Sequence, residues 1–426
     1  MKVSEIRSLA ENGGLTRQLF TLYGEDNSAA GRLIDLCDRF ISLFGDSAEA
    51  CVVSTPGRTE IAGNHTDHNL GLVATAGVNL DILAVAAPSG SSRTCIGSTK
   101  YPTDSLDLSE LTCRADEKGT SAGLVRGVAQ YFAEHGLRVG GFYAVTDNRV
   151  LKGSGLSSSA AFEVEIAEIL NVLYNGGKVD AITLAKAGQY AENRYYGKPS
   201  GLLDQTACAF GSFVSIDFAD PEKPAVTSLP FDLESMDLEM WVVDTGGNHA
   251  DLTDDYASIP NEMHAVARCF GKEQLREISL EQLISDLGHV RKTVGDRAAL
   301  RAFHYLAENR RVPQLLEAVK TCNTQFFLSL IRACGQSSFM YNQNAYSTAN
   351  VREQGISVAY ALADAVLDTS DSAFRLQGGG FAGTLQVFLP HDAVSGFLSF
   401  FEQVFGKGSC HRLTVRNLGA VSLLDL

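Results

Sequence analysis

The segment Leu151-Lys-Gly-Ser-Gly-Leu-Ser-Ser-Ser-Ala-Ala161 places two glycines and four serines directly before a pattern that predicts a buried helix. Apolar side chains recur downstream at i, i+4, i+7, i+8 and i+11, namely Phe162, Ile166, Ile169, Leu170 and Leu173. The other positions of this helix include the acidic residues Glu163, Glu165 and Glu168. Upstream, Phe142 to Thr146 predicts a strand. A strand, a glycine-rich turn and a helix N-terminus direct backbone N–H groups to one point, so the segment favours binding of an anion such as phosphate.

Two common nucleotide-binding loops do not fit this segment. It lacks the Gly-Lys-Ser/Thr ending of a P-loop, and it lacks the third glycine of a dinucleotide fingerprint. Taken alone, the run also fits a flexible turn whose serines cap a helix. Two further segments favour the phosphate-binding interpretation.

The first of them is Pro56-Gly-Arg-Thr-Glu-Ile-Ala-Gly-Asn-His-Thr-Asp-His-Asn-Leu-Gly71, which packs charged, imidazole and amide side chains between glycines. Each sugar hydroxyl both donates and accepts, so a sugar site needs such groups on a stiff backbone. The segment also fits a polar surface loop. A metal site is a further alternative, because His65, Asp67 and His68 include a ligand pair three residues apart. The lack of a third histidine or a cysteine nearby disfavours it.

The second is Glu192-Asn-Arg-Tyr-Tyr-Gly-Lys-Pro-Ser-Gly-Leu-Leu-Asp-Gln205, which separates two carboxylates by a Gly-Lys-Pro-Ser-Gly turn. We expect Glu192 to end a helix and Asp204 to follow the turn. This arrangement allows one acid to meet a metal ion and the other to meet a substrate hydroxyl. Either acid, taken alone, also fits an ordinary solvated surface carboxylate.

Composition excludes some classes of partner. The chain has 426 residues, 45% of them hydrophobic, which is enough for two domains with a core each. Its formal net charge of -15 argues against nucleic acid or an anionic membrane as a partner. Overall acidity does not forbid ATP, whose phosphates would meet local amide groups and cations.

Cysteine usage and the N-terminus predict a cytoplasmic protein. The cysteines number nine, an odd count, and form no Cys-x-x-Cys pair, so we expect reduced thiols. The chain begins Met-Lys-Val-Ser-Glu-Ile-Arg, and no stretch approaches the roughly 20 apolar residues that cross a bilayer.

Periodicity and proline content indicate how the chain is divided. Apolar spacing over residues 1–45, such as Leu33, Leu36, Phe40 and Phe44, predicts two amphipathic helices. Residues 219–230 contain three prolines, which strands cannot easily run through, and so suggest a boundary. The residues before it include the sugar-type segment, the phosphate loop and Asp204.

Together and in this order, the motifs resemble those of the galactokinase branch of the GHMP kinase superfamily, which also contains homoserine, mevalonate and phosphomevalonate kinases. Gly57 to Asn69 is similar to the galactokinase signature, and Gly153 to Ala161 to the superfamily phosphate loop. Leu376-Gln-Gly-Gly-Gly-Phe-Ala-Gly383 is similar to the third glycine motif. Asp244-Thr-Gly-Gly-Asn-His-Ala-Asp-Leu-Thr-Asp-Asp-Tyr256 resembles a segment that ends in a sugar-binding tyrosine.

The resemblance extends from about Gly31 to the C-terminus and implies an α+β, two-domain GHMP kinase fold. An N-terminal kinase domain with a left-handed βαβ crossover would span residues 31–224. A ferredoxin-like C-terminal domain would span residues 225–426. Residues 1–30 would form an N-terminal extension of unknown role, and the active site would lie in the cleft between the domains.

The resemblance also implies an activity, which is transfer of a phosphoryl group from ATP, with Mg²⁺, to the C1 hydroxyl of galactose. Asp204 would face that hydroxyl, and Arg58 would lie beside it and the transferred group. Substrate-binding groups would come from Asn64, His65, Asp67, Gly201 and Tyr256. The nucleotide would meet Gly153, Ser154, Gly155, Leu156, Ser157, Ser158, Ser159 and Gly379, the last within a Gly378–Gly380 turn that closes the site. Magnesium would be held by Glu192 with Ser158 or Ser159.

The chain departs from the family pattern mainly on the substrate side. Asn64 stands where galactokinases usually have a glutamate that contacts the C6 hydroxyl, and Glu60 stands where they usually have asparagine. An uncharged amide at position 64 would tolerate a C6 carboxylate, so galacturonate is an alternative substrate. N-acetylgalactosamine and arabinose are further alternatives. Beyond Tyr256 the chain reads Ala-Ser-Ile-Pro260 instead of a usual pair of arginines, which weakens the assignment of Tyr256.

A different class of function is a kinase-like sugar sensor that binds ATP and sugar and contacts a regulatory protein. The groups that turnover requires are nevertheless present, namely Arg58, Ser158, Ser159, Glu192 and Asp204. Their presence favours an enzyme.

Overall fold

The computed structural model describes residues 1–99, 103–151, 155–198, 200–246 and 252–426. Gly153 and Ser154 of the predicted phosphate loop lie outside the described residues. The α-helices are α1 Val3–Glu11, α2 Thr16–Tyr23, α3 Ala29–Phe44, α4 Ser121–Glu134, α5 Ser158–Asn175, α6 Ala181–Ala191, α7 Leu203–Phe210, α8 Thr253–Cys269, α9 Leu280–Ser285, α10 Leu287–Val294, α11 Asp296–Lys320, α12 Thr324–Ser337, α13 Gly355–Val366 and α14 Val394–Phe405. The strands are β1 Cys51–Ala62, β2 Leu72–Pro88, β3 Arg93–Ser98, β4 Asp104–Asp107, β5 Phe142–Asn148, β6 Phe213–Asp217, β7 Ala225–Leu229, β8 Glu239–Asp244, β9 Ala373–Gln377, β10 Thr384–Leu389, β11 Cys410–Leu413 and β12 Val421–Ser422.

A large mixed sheet carries most of the predicted site. Its strands run in the order β12-β1-β2-β5-β3-β4, while β6 pairs with β2 and β7 with β6. The long antiparallel pair β1 and β2 forms its centre, and its register shifts between Pro56 and Arg58. Strands β3 and β5 are parallel, with α4 between them in the chain. The left-handed course of the predicted crossover stays a prediction.

The second sheet is antiparallel and has the strand order β11-β8-β10-β9. In chain order this is the fourth, first, third and second strand, the arrangement of a ferredoxin-like βαββαβ unit. The Gly378–Gly380 turn follows β9 directly. This sheet therefore brings the third glycine motif to the site.

The predicted boundary at residues 219–230 does not fall between the two sheets. Ala225–Leu229 is a strand that pairs with β6, which corrects the expectation that strands would avoid this segment. Pro221, Pro224 and Pro230 flank it without interrupting it, and β7 lies at an edge of the sheet, where proline is best tolerated. Near the C-terminus, β12 pairs with β1. The division at residue 224 stays a prediction.

The N-terminal 45 residues form three helices where two were predicted. The break between α1 and α2 coincides with Gly13 and Gly14, and Gly13 has a φ of +81°. Apolar side chains of the three helices pack on one face of the large sheet. Arg32 of α3 pairs with the buried Asp81 of β2 at 2.5 Å. Residues 1–30 therefore cover the sheet instead of extending away from it.

Helix α5 differs from its predicted amphipathic form, because its acidic residues are buried as well as its apolar ones. Glu163 and Glu165 have no exposed surface, and Glu168 is 7% exposed. The helix packs against β1, α4, α6 and α7, so none of its faces is left to solvent along this stretch. Burial on all sides reflects tertiary packing, which the periodicity of one helix does not report.

The cysteines and the helices give two further facts. All nine cysteines lie within the described residues and are free thiols. In the same part of the chain, no helix combines the length and the apolar character needed to span a membrane.

Candidate active site

Arg58 and Asp204, the predicted catalytic residues, are in direct contact. Arg58 lies on β1 just after the register shift, and Asp204 lies in the first turn of α7. The guanidinium Nε and Nη2 are 2.8 and 2.6 Å from Asp204 Oδ1. The Arg58 side chain is 7% exposed and that of Asp204 is 32% exposed. A β-bulge of this kind commonly re-aims a side chain, and here the re-aimed side chain is that of Arg58.

The surroundings of Asp204 keep it ionised at neutral pH. Burial raises the pKa of this carboxyl, but Arg58 and a hydrogen bond from the Ser157 hydroxyl outweigh burial and hold the pKa below its usual value. A carboxylate stabilised in this way is a weak proton acceptor. It is well suited to accept a hydrogen bond and orient its donor.

The described part of the phosphate loop is joined to the same pair. Arg58 Nη1 donates to the carbonyl oxygen of Gly155, and Ser157 Oγ donates to Asp204 Oδ2. The Arg58 backbone N–H donates to the Leu156 carbonyl at 3.2 Å. Leu156, which was predicted to meet the nucleotide, has no exposed surface. The predicted nucleotide loop therefore lies directly beside the predicted catalytic pair.

Ser157 is the N-cap of α5 and adopts the left-handed conformation, with φ 55° and ψ 61°. This region is unfavourable for residues other than glycine, asparagine and aspartate. The conformation directs the serine hydroxyl to Asp204 while α5 begins at the next residue. Strain at a helix N-terminus beside a partly exposed carboxylate is typical of a functional position.

Of the two serines predicted to meet a metal, Ser159 is the one that contacts Glu192. Ser159 Oγ donates to Glu192 Oε1 at 3.3 Å, and Lys198 Nζ lies 2.9 Å from the same oxygen. Ser158 Oγ instead accepts from Asn148 Nδ2 at 2.9 Å. A hydroxyl and a carboxylate are the hard oxygen donors that Mg²⁺ prefers. The residues present therefore fit magnesium.

Few protein ligands are available to such an ion. Within the described ranges, no group of three or more His, Cys, Asp or Glu side chains is placed to hold a metal. Magnesium sites commonly use one or two carboxylates and take their remaining oxygens from water and substrate phosphates. The single carboxylate of Glu192 is consistent with that pattern.

Asp67 and Gly201, both predicted to bind sugar, are brought together from distant parts of the chain. A Cβ atom added to Gly201 would lie 2.3 Å from Asp67 Oδ2. The Asp67 side chain is 15% exposed. Glycine at position 201 thus lets the loop approach the carboxylate closely. Asp204, the predicted catalytic carboxylate, follows three residues later at the start of α7, so Gly201 connects Asp67 to that residue.

His65 connects the sugar-type loop to the third glycine motif. Its Nε2 lies 2.9 Å from the carbonyl oxygen of Gly379, so Nε2 carries the proton. Burial, with a smaller effect of His68, lowers the pKa of His65 to about 4. The ring is therefore neutral at pH 7, and Nδ1 is unprotonated and can accept a hydrogen bond.

Tyr256 packs directly on the third glycine motif. Its hydroxyl donates to the Gly380 carbonyl at 2.9 Å, and its ring meets that of Phe381 edge-on at 5.3 Å. A Cβ atom at Gly379 would lie 2.6 Å from the Tyr256 ring. Burial raises the pKa of Tyr256 to about 12, so the hydroxyl keeps its proton. On the other side of this motif, a Cβ at Gly378 would lie 3.6 Å from Gly155 of the phosphate loop.

Two family descriptions match the stretches of sequence that form this site. Residues 123–212, which contain the phosphate loop, Glu192 and Asp204, match the GHMP kinases N terminal domain. Residues 38–88, which contain Arg58 and the sugar-type loop, match the galactokinase galactose-binding signature. The chain has the GHMP kinase fold.

Relatives and solved structures agree with the GHMP kinase assignment. A galactokinase of Glaesserella parasuis is 27% identical over 87% of this chain and 92% of its own length. One of Streptomyces coelicolor is 28% identical over 86% and 92%. The structure of Lactococcus lactis galactokinase complexed with galactose superposes with a TM-score of 0.76 at 23% identity, covering 90% of this chain and 98% of that one. Methanococcus jannaschii mevalonate kinase gives 0.60 at 12% identity, covering 87% and 98%.

These similarities confirm the predicted fold and the predicted class of enzyme, a sugar kinase. They support the predicted placement in the galactokinase branch of the GHMP kinase superfamily. The roles assigned to individual residues, and the substitution of asparagine for glutamate at position 64, stay predictions.

In this GHMP kinase fold, Asn64 is enclosed by the protein, whereas a direct contact with the sugar would need an exposed side chain. Its side chain has no exposed surface and forms hydrogen bonds within the protein. Its Nδ2 donates to Glu60 Oε1 at 2.9 Å and to the Gly378 carbonyl at 2.8 Å. Its Oδ1 accepts from Asn344 Nδ2 at 2.7 Å. A sugar hydroxyl could pair with this amide only in exchange for one of these bonds.

Sequence reasoning missed Glu163 and Gln205 as parts of the site. Gln205 Nε2 donates to Glu163 Oε2 at 2.9 Å and to Glu192 Oε2 at 3.0 Å, so it joins the two acids. Burial, and then the charge of Glu192, raise the pKa of Glu163 well above its usual value. The Glu163 carboxyl therefore holds its proton more tightly than a solvent-exposed glutamate does. The sequence signal that could have identified Glu163 is its position one helical turn after Ser159.

Proposed function

We propose that this protein transfers the γ-phosphoryl group of ATP to the C1 hydroxyl of galactose and so forms galactose 1-phosphate. The observation that carries the proposal is the position of Arg58, whose guanidinium donates both to the Asp204 carboxylate and to the Gly155 carbonyl. Asp204 lies three residues after Gly201, which packs against Asp67. Gly155 belongs to the phosphate loop. An acceptor hydroxyl and a donor phosphoryl group would thus both lie beside one cation.

The residues present support positioning and charge stabilisation as the main sources of rate. The ionised Asp204 accepts a hydrogen bond from the C1 hydroxyl and aligns it for attack. Phosphoryl transfer passes through a loose transition state, so strong base catalysis is not required. Arg58 and the N-terminal amides of α5 offset the charge on the phosphoryl oxygens.

Ser159 and Glu192 would hold magnesium, and Gln205 and Glu163 would orient the Glu192 carboxylate. When bound, Mg²⁺ neutralises charge on the nucleotide phosphates. Lys198 occupies one oxygen of Glu192 at 2.9 Å and would have to release it to the ion.

His65, Asp67, Gly201 and Tyr256 would hold the remaining sugar hydroxyls and close the site around them. Asp67 packs against Gly201, which lies three residues before Asp204, whereas His65 and Tyr256 contact the glycine motif after β9. We propose that the cleft lies between residues 31–224 and 225–426, with Gly379 supplying part of the nucleotide side.

The test is a substrate comparison. The protein is incubated with Mg²⁺, ATP and each of galactose, galacturonate, N-acetylgalactosamine and arabinose, and kcat/KM is measured from ADP release. Phosphorus NMR then locates the phosphate on the sugar. We expect galactose to have the highest kcat/KM and the product to be phosphorylated at C1. A preference for galacturonate would mean that galacturonate, and not galactose, is the substrate. Sugar binding without any product would favour a sugar sensor over an enzyme.

A further inference from the structure

Glu60 lies on β1, four residues before Asn64 in the sugar-type segment, and its carboxylate is buried. The residue is 6% exposed. Its Oε1 accepts from Asn64 Nδ2 at 2.9 Å and from Arg375 Nη2 at 2.5 Å. Arg375 is fully buried and also donates through Nη1 to the Glu60 backbone carbonyl at 2.5 Å. The buried acid and the buried cation therefore compensate each other within one small cluster.

Asn64 extends this cluster to the cleft. An asparagine side chain offers two N–H donors and two lone pairs, and here both donors are used, by Glu60 and by the Gly378 carbonyl. The oxygen accepts from Asn344, whose Nδ2 also lies 2.9 Å from the Gly379 carbonyl. The rotamer of Asn64 thus sets the separation between the sugar-type loop and the Gly378–Gly380 turn.

We infer that Glu60 is a specificity-positioning residue of the sugar site, which acts through Asn64. It holds one amide N–H of Asn64, and the fixed amide in turn holds the glycine turn against the loop. Residue 64 then shapes the end of the pocket without direct contact to the sugar. This inference rests on the proposed function, because it concerns the pocket in which that function places the sugar.

The contact between residues 60 and 64 makes the inference testable by exchange. Because the two side chains touch at 2.9 Å, an exchange of the two residue types would keep one carboxylate and one amide in the same volume beside Arg375. A single substitution at either position would break that balance, and the double substitution would restore it.

The test is a double-mutant cycle with the wild type, Glu60→Asn, Asn64→Glu and the double variant. Asn64→Glu alone adds a second carboxylate beside Glu60, and Glu60→Asn alone leaves Arg375 without its partner. We expect each single variant to lower the thermal unfolding midpoint and to raise KM for galactose about tenfold, while KM for ATP stays near the wild-type value. The double variant should recover most of the midpoint and a KM within about threefold of wild type.

Glu239→Asn is the matched control. It breaks the ion pair between Glu239 of β8 and Arg412, at 2.9 Å, at the end of the second sheet away from the glycine turn. We expect it to lower the unfolding midpoint and to leave KM for galactose unchanged. This comparison separates a positioning role of Glu60 from a general loss of stability.

Three outcomes would overturn the inference. The first is a double variant with defects equal to the sum of the two single variants, and the second is a pair of single variants with unchanged KM for galactose. The third is a rise in KM for ATP as large as that for galactose. A wild-type protein that phosphorylates none of the tested sugars counts against the proposed function and removes the specificity role with it. The cycle of unfolding midpoints would still decide independently whether the two residues act as one unit.

Discussion

Arg58 holds a single oxygen of Asp204 through two guanidinium nitrogens, at 2.8 and 2.6 Å, and leaves the other oxygen to the Ser157 hydroxyl. This arrangement fixes the plane of the carboxylate and keeps it charged. It also ties the start of α5, and therefore the phosphate loop, to the residue that would meet the sugar. The contacts of this one ion pair therefore set how far the phosphate loop lies from Asp204.

The left-handed conformation of Ser157 gives a prediction about stability. Ser157→Ala and Ser157→Gly both remove the hydroxyl that bonds Asp204, so we expect both to lower kcat to a similar degree. Glycine accepts a φ of 55° without the steric cost that alanine meets. Chemical denaturation should therefore show the glycine variant to be more stable than the alanine variant by about 1 kcal/mol. Equal stability of the two would contradict the strain inferred at this position.

Lys198 and magnesium should compete for Glu192. Lys198 Nζ is 2.9 Å from Glu192 Oε1, and its side chain is 61% exposed. Because an exposed ion pair contributes about 0.2–1 kcal/mol, Lys198→Met should tighten Mg²⁺ binding by up to about fivefold. The measurement is a calorimetric Mg²⁺ titration with a non-hydrolysable ATP analogue present. Lys186→Met, which removes a lysine bonded to the Glu222 carbonyl, is the control and should leave Mg²⁺ affinity unchanged. Weaker Mg²⁺ binding in the Lys198 variant would contradict the competition.

The buried acid Glu168 predicts that stability falls as pH rises. Burial raises its pKa from 4.5 to about 7, and a hydrogen bond from Asn171 offsets only part of this. Because the folded state binds the proton more tightly, the stabilisation is complete below pH 4.5 and is lost as pH rises through 7. At pH 8 the loss is on the order of 3 kcal/mol.

Glu168→Gln tests this account with denaturation at pH 5 and pH 8. The variant cannot lose a proton, so its free energy of unfolding should fall less between the two values than that of the wild type. The same fall in both proteins would show that Glu168 does not titrate in this range.

Local patterns of the chain are sufficient to predict β5, the start of α5 and the two segments that contain Arg58 and Asp204, whereas the predicted catalytic role of this pair follows only from the family resemblance. The turn between a strand and a helix depends on residues close in sequence, and glycine and serine mark it directly. The separation of α1 from α2 was also local, but two glycines were not recognised as a helix break. Pro224 and Pro230 predict a barrier to a strand, but they only bracket β7.

Contacts between distant residues could not be predicted in the same way. The periodicity of α5 correctly gave its apolar positions, but burial of Glu163 and Glu165 depends on helices and strands that cover its other face. Asn64 was assigned to the sugar because of its place in a motif. Its actual partners include Asn344 and Gly378, and no pattern within the motif indicates them. Gln205 was likewise recognised only as the end of a segment.

The most direct measurement is the turnover and the sugar affinity of Asp204→Asn. The amide keeps the shape of the side chain but removes the charge that orients the C1 hydroxyl and pairs with Arg58. We expect this variant to lose turnover while calorimetry gives a Kd for galactose within about tenfold of wild type, roughly the effect of one hydrogen bond. Near-normal turnover in Asp204→Asn would contradict the assignment of this carboxylate to the reacting hydroxyl.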